Sequence, residues 1–202
     1  GKRIAILIDT SASMLAPSVV EIIRLKGITP ELRRTAPKWQ RALKTVEWLT
    51  SQLPINAQYQ IIAFSTEAQP ILTETAGKWL EVADASKLKA ATEALRERTP
   101  DGGTNLRGAF DSLTVLPSDP DNIFLITDGL PTQNNEAPKS KRISSKEREA
   151  LFDEAIKYLP PSQPPVNIIL APMEGDPKAA VKFWELAQMS GGSFMSPSRD
   201  WP

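Results

Sequence analysis

Four short apolar runs, separated by segments of helical periodicity, constrain the fold of this chain of 202 residues more than any other feature. The runs occupy residues 4–8, 61–64, 123–126 and 168–171. Bounded apolar runs of this length are typical of strands that are buried on both faces, as in a parallel sheet. Each run is therefore predicted to be a buried strand.

Between the runs, apolar residues recur at spacings of three and four, which predicts amphipathic helices. These segments span about residues 39–49, 88–95, 106–113, 151–159 and 180–187. Strands that alternate with helices indicate a mostly parallel sheet with helices on both faces. The predicted fold class is α/β, a doubly wound and Rossmann-like sheet. Short edge strands are predicted at Ile71-Leu72 and at Ser193-Phe194-Met195.

The composition restricts the chemistry to oxygen ligands. Histidine and cysteine are both absent, which excludes a serine-histidine-aspartate hydrolase, thiol catalysis, disulfides and nearly every transition-metal site. Lys plus Arg and Asp plus Glu both number 24, so no global field attracts nucleic acid or an anionic membrane. Partners must therefore be recognised locally.

A carboxylate and two hydroxyls follow the first apolar run directly. In chain that stays extended past the end of a strand, alternate side chains point the same way, so Asp9, Ser11 and Ser13 are expected to converge. Asp128 has the same context after the run at 123–126, and ligands of open α/β sheets bind outside the carboxyl ends of the strands. The two aspartates are expected to face one crevice if their strands are neighbours.

A third hydroxyl lies between the two aspartates in sequence. Residues 100–106 read Pro-Asp-Gly-Gly-Thr-Asn-Leu, a flexible turn that delivers Thr104 just before a predicted helix. Aspartates and serines that follow strands often serve only as caps or turn residues. Asp101 is interpreted in that way, whereas the joint occurrence of the three segments favours a site.

These segments resemble the motifs of the von Willebrand factor type A domain family. The matching motifs are Asp9-x-Ser11-x-Ser13, Gly103-Thr104-Asn105, and Thr127-Asp128-Gly129 with Pro131-Thr132. Their order, approximate spacing and strand or loop context all agree with the family pattern. The resemblance implies a metal-ion-dependent adhesion site, with Asp9, Ser11, Ser13, Thr104 and Asp128 as the metal-binding residues.

The residue types favour the same chemistry. Oxygen ligands select a hard cation, and few carboxylates with several hydroxyls favour Mg²⁺, with Mn²⁺ or Ca²⁺ as alternatives. Asp9 and Asp128 at most balance the charge of the ion, so an open coordination position would attract a carboxylate. In the family, that ligand is typically a Glu or Asp of a bound protein. The resemblance therefore implies a non-enzymatic module for adhesion or assembly that binds a protein partner, and the balanced charge predicts no direct contact with nucleic acid or membrane.

The organisation of the chain departs from the family in one place. The length favours one domain over residues 1–202, with an insertion at about 15–36 and a long polar loop at about 131–144. The insertion is expected to emerge beside the metal. There it would shape partner specificity or cover the site; alternatively, it would pack elsewhere as a short helix. Because the chain starts with Gly1 and soon reaches a strand, we expect a longer protein with any anchor or signal peptide upstream. The lack of cysteine favours an exported or membrane-anchored bacterial protein.

Two other functions stay open from the sequence. A haloacid dehalogenase-type phosphatase also places an aspartate after its first strand and uses Mg²⁺, but it needs a second aspartate where this chain has Ser11. A regulatory subunit of an ATPase-coupled machine would use the same metal site, and its partner would hydrolyse ATP, since this chain has no phosphate-binding loop. Basic residues in and after the polar loop are interpreted as a solvated face or, alternatively, a contact for an acidic partner; they are Lys139, Lys141, Arg142, Lys146 and Arg148.

Overall fold

The computed structural model describes residues 2–138, 143–198 and 201, and within them the chain forms one sheet of seven strands. The strands are β1 (Arg3–Asp9), β2 (Gln58–Phe64), β3 (Ala68–Pro70), β4 (Leu80–Glu81), β5 (Asn122–Thr127), β6 (Val166–Leu170) and β7 (Phe194–Met195). Each of the four predicted apolar runs lies in one of the longer strands, β1, β2, β5 and β6, apart from Ala171, which follows β6.

The sheet is mostly parallel, and β1 lies near its centre. The strand order is β3-β2-β1-β5-β6-β7, with β4 paired to β2 as well. β1 is parallel to both β2 and β5, and β6 is parallel to β5 and β7, whereas β3 and β4 run antiparallel to β2. The carboxyl ends of β1, β2, β5 and β6 therefore meet at one edge of the sheet, which is where the predicted site residues follow their strands.

Helices cover both faces of the sheet. They are α1 (Val19–Lys26), α2 (Pro30–Arg34), α3 (Pro37–Ser51), α4 (Ala85–Arg96), α5 (Leu106–Asp111), α6 (Ser145–Ala155) and α7 (Ala179–Ser190). Single 3-10 turns occupy Ala12–Leu15, Thr73–Thr75 and Ile156–Tyr158. No helix in the described ranges is long and apolar enough to span a bilayer.

Two hydrophobic cores result from the alternation of side chains along each strand. On one face of β1, Ile4, Ile6 and Ile8 pack with α3 and α4. On the other face, Ala5 and Leu7 pack with α5, α6 and α7. Because β1 is buried on both faces, its sequence is continuously apolar, as is typical of a parallel strand. The predicted α/β fold with helices on both faces is confirmed.

The edge strands differ in part from the prediction. Phe194 and Met195 form β7, as expected. The strand expected at Ile71-Leu72 lies instead at Ala68–Pro70, because a tight turn after Phe64 starts the antiparallel pairing at once. Ile71 follows β3, and its N–H donates a hydrogen bond of 2.9 Å to the carbonyl of Ile61. Its apolar side chain is buried in the core next to the strand rather than in it.

The segment at 15–36 folds into α1 and α2, beside the loop that carries Thr104. Ile22 of α1 packs on the turn that follows β1. Lys26 and Arg33 reach the carboxylate of Asp101, with N···O distances of 3.6 and 3.5 Å. Asp101 thus connects these helices to the loop that carries Thr104.

Candidate metal site

Neighbouring strands bring the two predicted aspartates together. β1 and β5 are adjacent and parallel, with Ile8 opposite Ile126. Asp9 ends β1, and Asp128 follows β5 directly. Both carboxylates are buried, with 0% and 3% of their residue surface exposed. The two strands are neighbours, which is the condition for one shared crevice, and both aspartates lie at the same edge of the sheet.

The carboxylate of Asp9 is held from both sides. It accepts a hydrogen bond of 2.8 Å from the backbone N–H of Ser11 and one of 2.7 Å from the hydroxyl of Thr127. From the sequence, Thr127 has no predicted role beyond its place in the motif. Its position as the last residue of β5, opposite the end of β1, is the signal that could have identified it as a partner of Asp9.

Ser11 and Ser13 form a chain of hydroxyls that ends on Asp128. The Ser13 hydroxyl donates to Oδ1 of Asp128 at 2.8 Å, and the two serine Oγ atoms are 2.9 Å apart. Because Ser13 gives its single proton to the carboxylate, Ser11 must be the donor between the two serines. Both oxygens keep lone pairs that can bind a cation.

Backbone hydrogen bonds fix Thr104 beside these serines. The carbonyl of Gly102 accepts from the N–H of Ala12 at 3.1 Å. The Thr104 N–H donates to the Thr132 hydroxyl at 2.9 Å, and the Thr132 N–H donates back to the Thr104 carbonyl at 2.9 Å. A Cβ on Gly103 would lie only 2.7 Å from the side-chain oxygen of Gln133, so glycine permits this close approach. The three predicted segments therefore form one connected unit.

The hydroxyls line a cavity, and the carboxylates lie behind them. Ser11, Ser13 and Thr104 line an open cavity of about 400 Å³, together with Thr132 and Gln133. In the described part of the chain, no three acidic side chains come close enough to form a carboxylate cage. A cation here would contact mainly neutral oxygens, with charge supplied from behind.

The oxygen spacing fits an octahedral hard cation. Magnesium–oxygen bonds of about 2.0–2.1 Å place adjacent ligands of an octahedron about 2.9 Å apart. The Oγ atoms of Ser11 and Ser13 have this separation, which is also the length of the hydrogen bond between them. The residues present therefore suit Mg²⁺ in their chemistry, and this one spacing is compatible with the ion.

A lysine that the sequence analysis did not identify lies against Asp128. The ammonium of Lys38 is 2.6 Å from Oδ2 of Asp128, and it donates to the carbonyls of Ser13 at 2.9 Å and Ala16 at 3.2 Å. The side chains of Lys38 and Asp128 are only 1% and 2% exposed. Lysine is rarely buried unless it is paired, and the ion pair with Asp128 accounts for the burial of Lys38.

The position of Lys38 in its helix carried a signal. Lys38 is in the first turn of α3, where the helix macrodipole disfavours a cation, and no acidic residue accompanies it there. A basic residue between Pro37 and the buried Trp39 is therefore out of place on local grounds. Such a residue needs an acidic partner from elsewhere in the fold.

Arg148 differs from its interpretation as part of a solvated basic face. It lines the hydroxyl cavity, and its guanidinium is 2.8 Å from Oδ2 of Asp176. It also donates hydrogen bonds to the carbonyl of Leu130. Its side chain is still 19% exposed, but its charge is paired with the buried Asp176. Lys146 is exposed on α6, whereas Lys139, Lys141 and Arg142 lie outside the described residues.

Burial and the nearby charge of Asp128 raise the pKa of Asp9 from 3.8 to about 7. Between these values, the folded chain keeps a proton that the unfolded chain has released. In the presence of a chelator, the contribution of Asp9 to stability is therefore expected to fall as the pH rises from about 4 to about 7. Urea denaturation of the wild type and of Asp9→Asn at pH 5 and pH 8 measures this contribution. Equal pH dependence in the two proteins would contradict it.

An α/β sheet with an oxygen-lined crevice at the carboxyl ends of its strands defines a class of ligand-binding folds. Within that class, residues 4–130 match the family model described as the von Willebrand factor type A domain. The chain belongs to this family. A comparison with curated proteins gave no match.

Solved structures with the same fold share little sequence with the chain. A von Willebrand factor type A protein from Catenulispora acidiphila is 20% identical, with a TM-score of 0.65, over 98% of this chain and 39% of that one. An aerotolerance-related membrane protein from Bacteroides fragilis is 15% identical, with a TM-score of 0.55, over 98% and 92% of the two chains. The PilB minor pilin from Streptococcus sanguinis is 16% identical, with a TM-score of 0.54, over 98% and 57%. At these identities the likeness establishes the fold alone.

Proposed function

We propose that the chain is a protein-interaction module that binds Mg²⁺ at the hydroxyl cavity and, through the ion, an acidic side chain of a partner protein. Membership in the von Willebrand factor type A family is consistent with an interaction role. The single observation that carries the metal proposal is that the hydroxyl residues Ser11, Ser13 and Thr104 line one cavity, with the carboxylate of Asp128 hydrogen bonded behind Ser13.

The proposed partner follows from the charges around the cavity. The neutral hydroxyls of Ser11, Ser13 and Thr104 would neutralise an ion poorly, and the cavity is open to solvent. Arg148 also lines the cavity, but its charge is already compensated by Asp176. A carboxylate from a partner would therefore bind the ion itself, and charge-assisted contacts of this kind are among the stronger polar interactions. Adhesion and assembly both remain compatible with this proposal.

Magnesium is expected to raise the melting temperature, and Thr104→Val is expected to abolish the rise. A ligand that binds only the folded state stabilises it by about 2.7 kcal/mol at 100 times its Kd. That corresponds to roughly 5–10 °C for a domain of this size. Valine keeps the shape of Thr104, and in the described residues the Thr104 hydroxyl forms no hydrogen bond whose loss would destabilise the fold. Differential scanning calorimetry with Mg²⁺, Mn²⁺, Ca²⁺ or chelator measures the shift.

Thr92→Val on α4 is the matched control, because it makes the same exchange at a threonine far from the cavity in sequence and bonded only within its helix. Its metal response is expected to equal that of the wild type. The proposal fails if millimolar concentrations of all three ions leave the wild-type melting temperature unchanged.

Partner binding is tested separately by affinity capture from an extract of the source cells, with Mg²⁺ and with chelator. The proposed function predicts a captured protein that is absent with chelator and absent with Thr104→Val, but present with Thr92→Val. A captured protein with ATPase activity would assign the module to an ATPase-coupled machine. Capture that is equal with Mg²⁺ and with chelator would contradict a metal-bridged interaction.

A further inference from the structure

We propose that Lys38 is a tethered counter-ion of the candidate metal site, which holds the site in place without metal and weakens the affinity for Mg²⁺. This inference rests on the proposed metal function and assigns a role to a residue outside the motifs. Lys38 belongs to α3, and its partner Asp128 follows β5, so the pair joins two elements that lie far apart in the sequence.

The ammonium fills the side of Asp128 that faces away from the hydroxyls. Oδ1 of Asp128 accepts from Ser13, whereas Oδ2 accepts from Lys38. Lys38 also lines the groove between α1 and α3, while Ser11, Ser13 and Thr104 line the cavity. Lys38 and the serine hydroxyl that faces the cavity therefore use different oxygens of the same carboxylate, so Lys38 and a metal ion can be present together.

The same ammonium fixes the loop that carries the serines. It donates to the backbone carbonyl of Ser13 and to that of Ala16, three residues later. These two bonds and the ion pair use all three protons of the ammonium. The loop between β1 and α1 is thereby tied to Asp128 before any metal arrives, so the oxygens need little rearrangement to bind an ion.

The charge of Lys38 acts against the metal. Asp9 and Asp128 supply two negative charges when both are ionised, and Lys38 reduces the total to one. A divalent ion then leaves the site with one net positive charge, which favours an additional anionic ligand. Metal binding alone is correspondingly weaker, because like charges repel more strongly where water is excluded. Lys38 thus shifts the preference of the site from the ion alone towards the ion with a partner carboxylate.

The test is the Kd for Mn²⁺ of the wild type, Lys38→Met and Lys38→Gln at pH 8, measured by titration calorimetry and by electron paramagnetic resonance of free Mn²⁺. Both variants are expected to bind Mn²⁺ about tenfold more tightly than the wild type. Lys44→Met, an exposed lysine in the same helix, makes the same change in net charge and is expected to leave the Kd unchanged. A purely structural role of Lys38 predicts weaker binding in the variants, so the direction of change separates the two roles.

Folding of the variants is checked by circular dichroism with chelator and with saturating Mn²⁺. Lys38→Gln keeps a hydrogen-bond donor at this position, and it provides the measurement if Lys38→Met does not fold. Unchanged or weaker Mn²⁺ binding in the folded variants overturns the counter-ion proposal. If the wild type binds no metal but the variants do, Lys38 opposes the ion as proposed, and the proposed function of the wild type fails. If none of them binds metal, both proposals fail.

Discussion

Asp128→Asn alone is expected to lower the free energy of unfolding by about 3–5 kcal/mol in the absence of metal, because it leaves the ammonium of Lys38 buried without its counter-charge. The Lys38 side chain is 1% exposed, so water cannot replace the lost carboxylate. The carbonyls of Ser13 and Ala16 still accept its protons, but they carry no net charge. Lys38→Met is expected to be destabilising for the converse reason.

The double variant Asp128→Asn with Lys38→Met is expected to be more stable than either single variant, since it removes both charges together. Urea denaturation in chelator gives the change in the free energy of unfolding for each single variant and for the double variant, and the coupling free energy follows from these three values. Asp153→Asn is the matched control: Asp153 pairs with Lys182 at 2.9 Å, but its side chain is 55% exposed. A surface pair of this kind contributes about 0–1 kcal/mol. Equal losses from Asp128→Asn and Asp153→Asn would contradict a buried, coupled pair.

This coupling alters how variants of the metal residues should be interpreted. From the sequence, loss of either aspartate is expected to abolish the metal response and leave the fold intact. Asp128 also compensates Lys38, so its removal changes metal binding and stability at once. Thr104→Val affects only the cavity wall and is the cleaner probe. The distinction depends on a contact that only the folded chain reveals.

The sequence predicts much of the fold because burial acts on short stretches. A strand buried on both faces must be apolar throughout, so β1, β2, β5 and β6 could be located from their residues alone. The same reasoning places polar residues at strand ends, where the chain leaves the core. Asp9 and Asp128 follow such strands, and the pairing of β1 with β5 brings them to one crevice. The motif positions therefore carried both the local and the tertiary information.

Contacts between distant segments could not be predicted in the same way. Lys38 is 90 positions from Asp128, and α1 and α2 separate it from the serines whose loop it holds. The spacing of apolar residues in the sequence does not specify how the chain returns to the sheet after the additional helices α1 and α2. Arg148 presents the same difficulty, because its partner Asp176 precedes a different helix. In both cases the partner carboxylate could not be identified from the sequence, because only the fold brings it to the basic residue.

Gly192→Ala is expected to destabilise the fold by about 3 kcal/mol or more, which places it among the exceptional single substitutions. A Cβ at this position would lie 2.1 Å from the carbonyl oxygen of Val166 and 2.5 Å from its carbonyl carbon. Both atoms belong to the backbone at the start of β6, so no side chain can rotate away. The Gly192 N–H also donates to the carbonyl of Ala187 at 2.8 Å, which fixes the residue against the end of α7.

Gly27→Ala is the control, because its Cβ would lie 3.4 Å from the carbonyl oxygen of Arg24, in an ordinary backbone conformation. It is expected to change the free energy of unfolding, measured with urea, by less than about 1 kcal/mol. A mild effect of Gly192→Ala would mean that β6 and the end of α7 can separate. Val166 lies at the start of β6 opposite Ile123, whereas Asp128 follows the other end of β5, so a folded Gly192→Ala protein is expected to keep its response to Mg²⁺. Loss of stability with retention of that response would show that the close contact at Gly192 supports the fold but is not needed for metal binding.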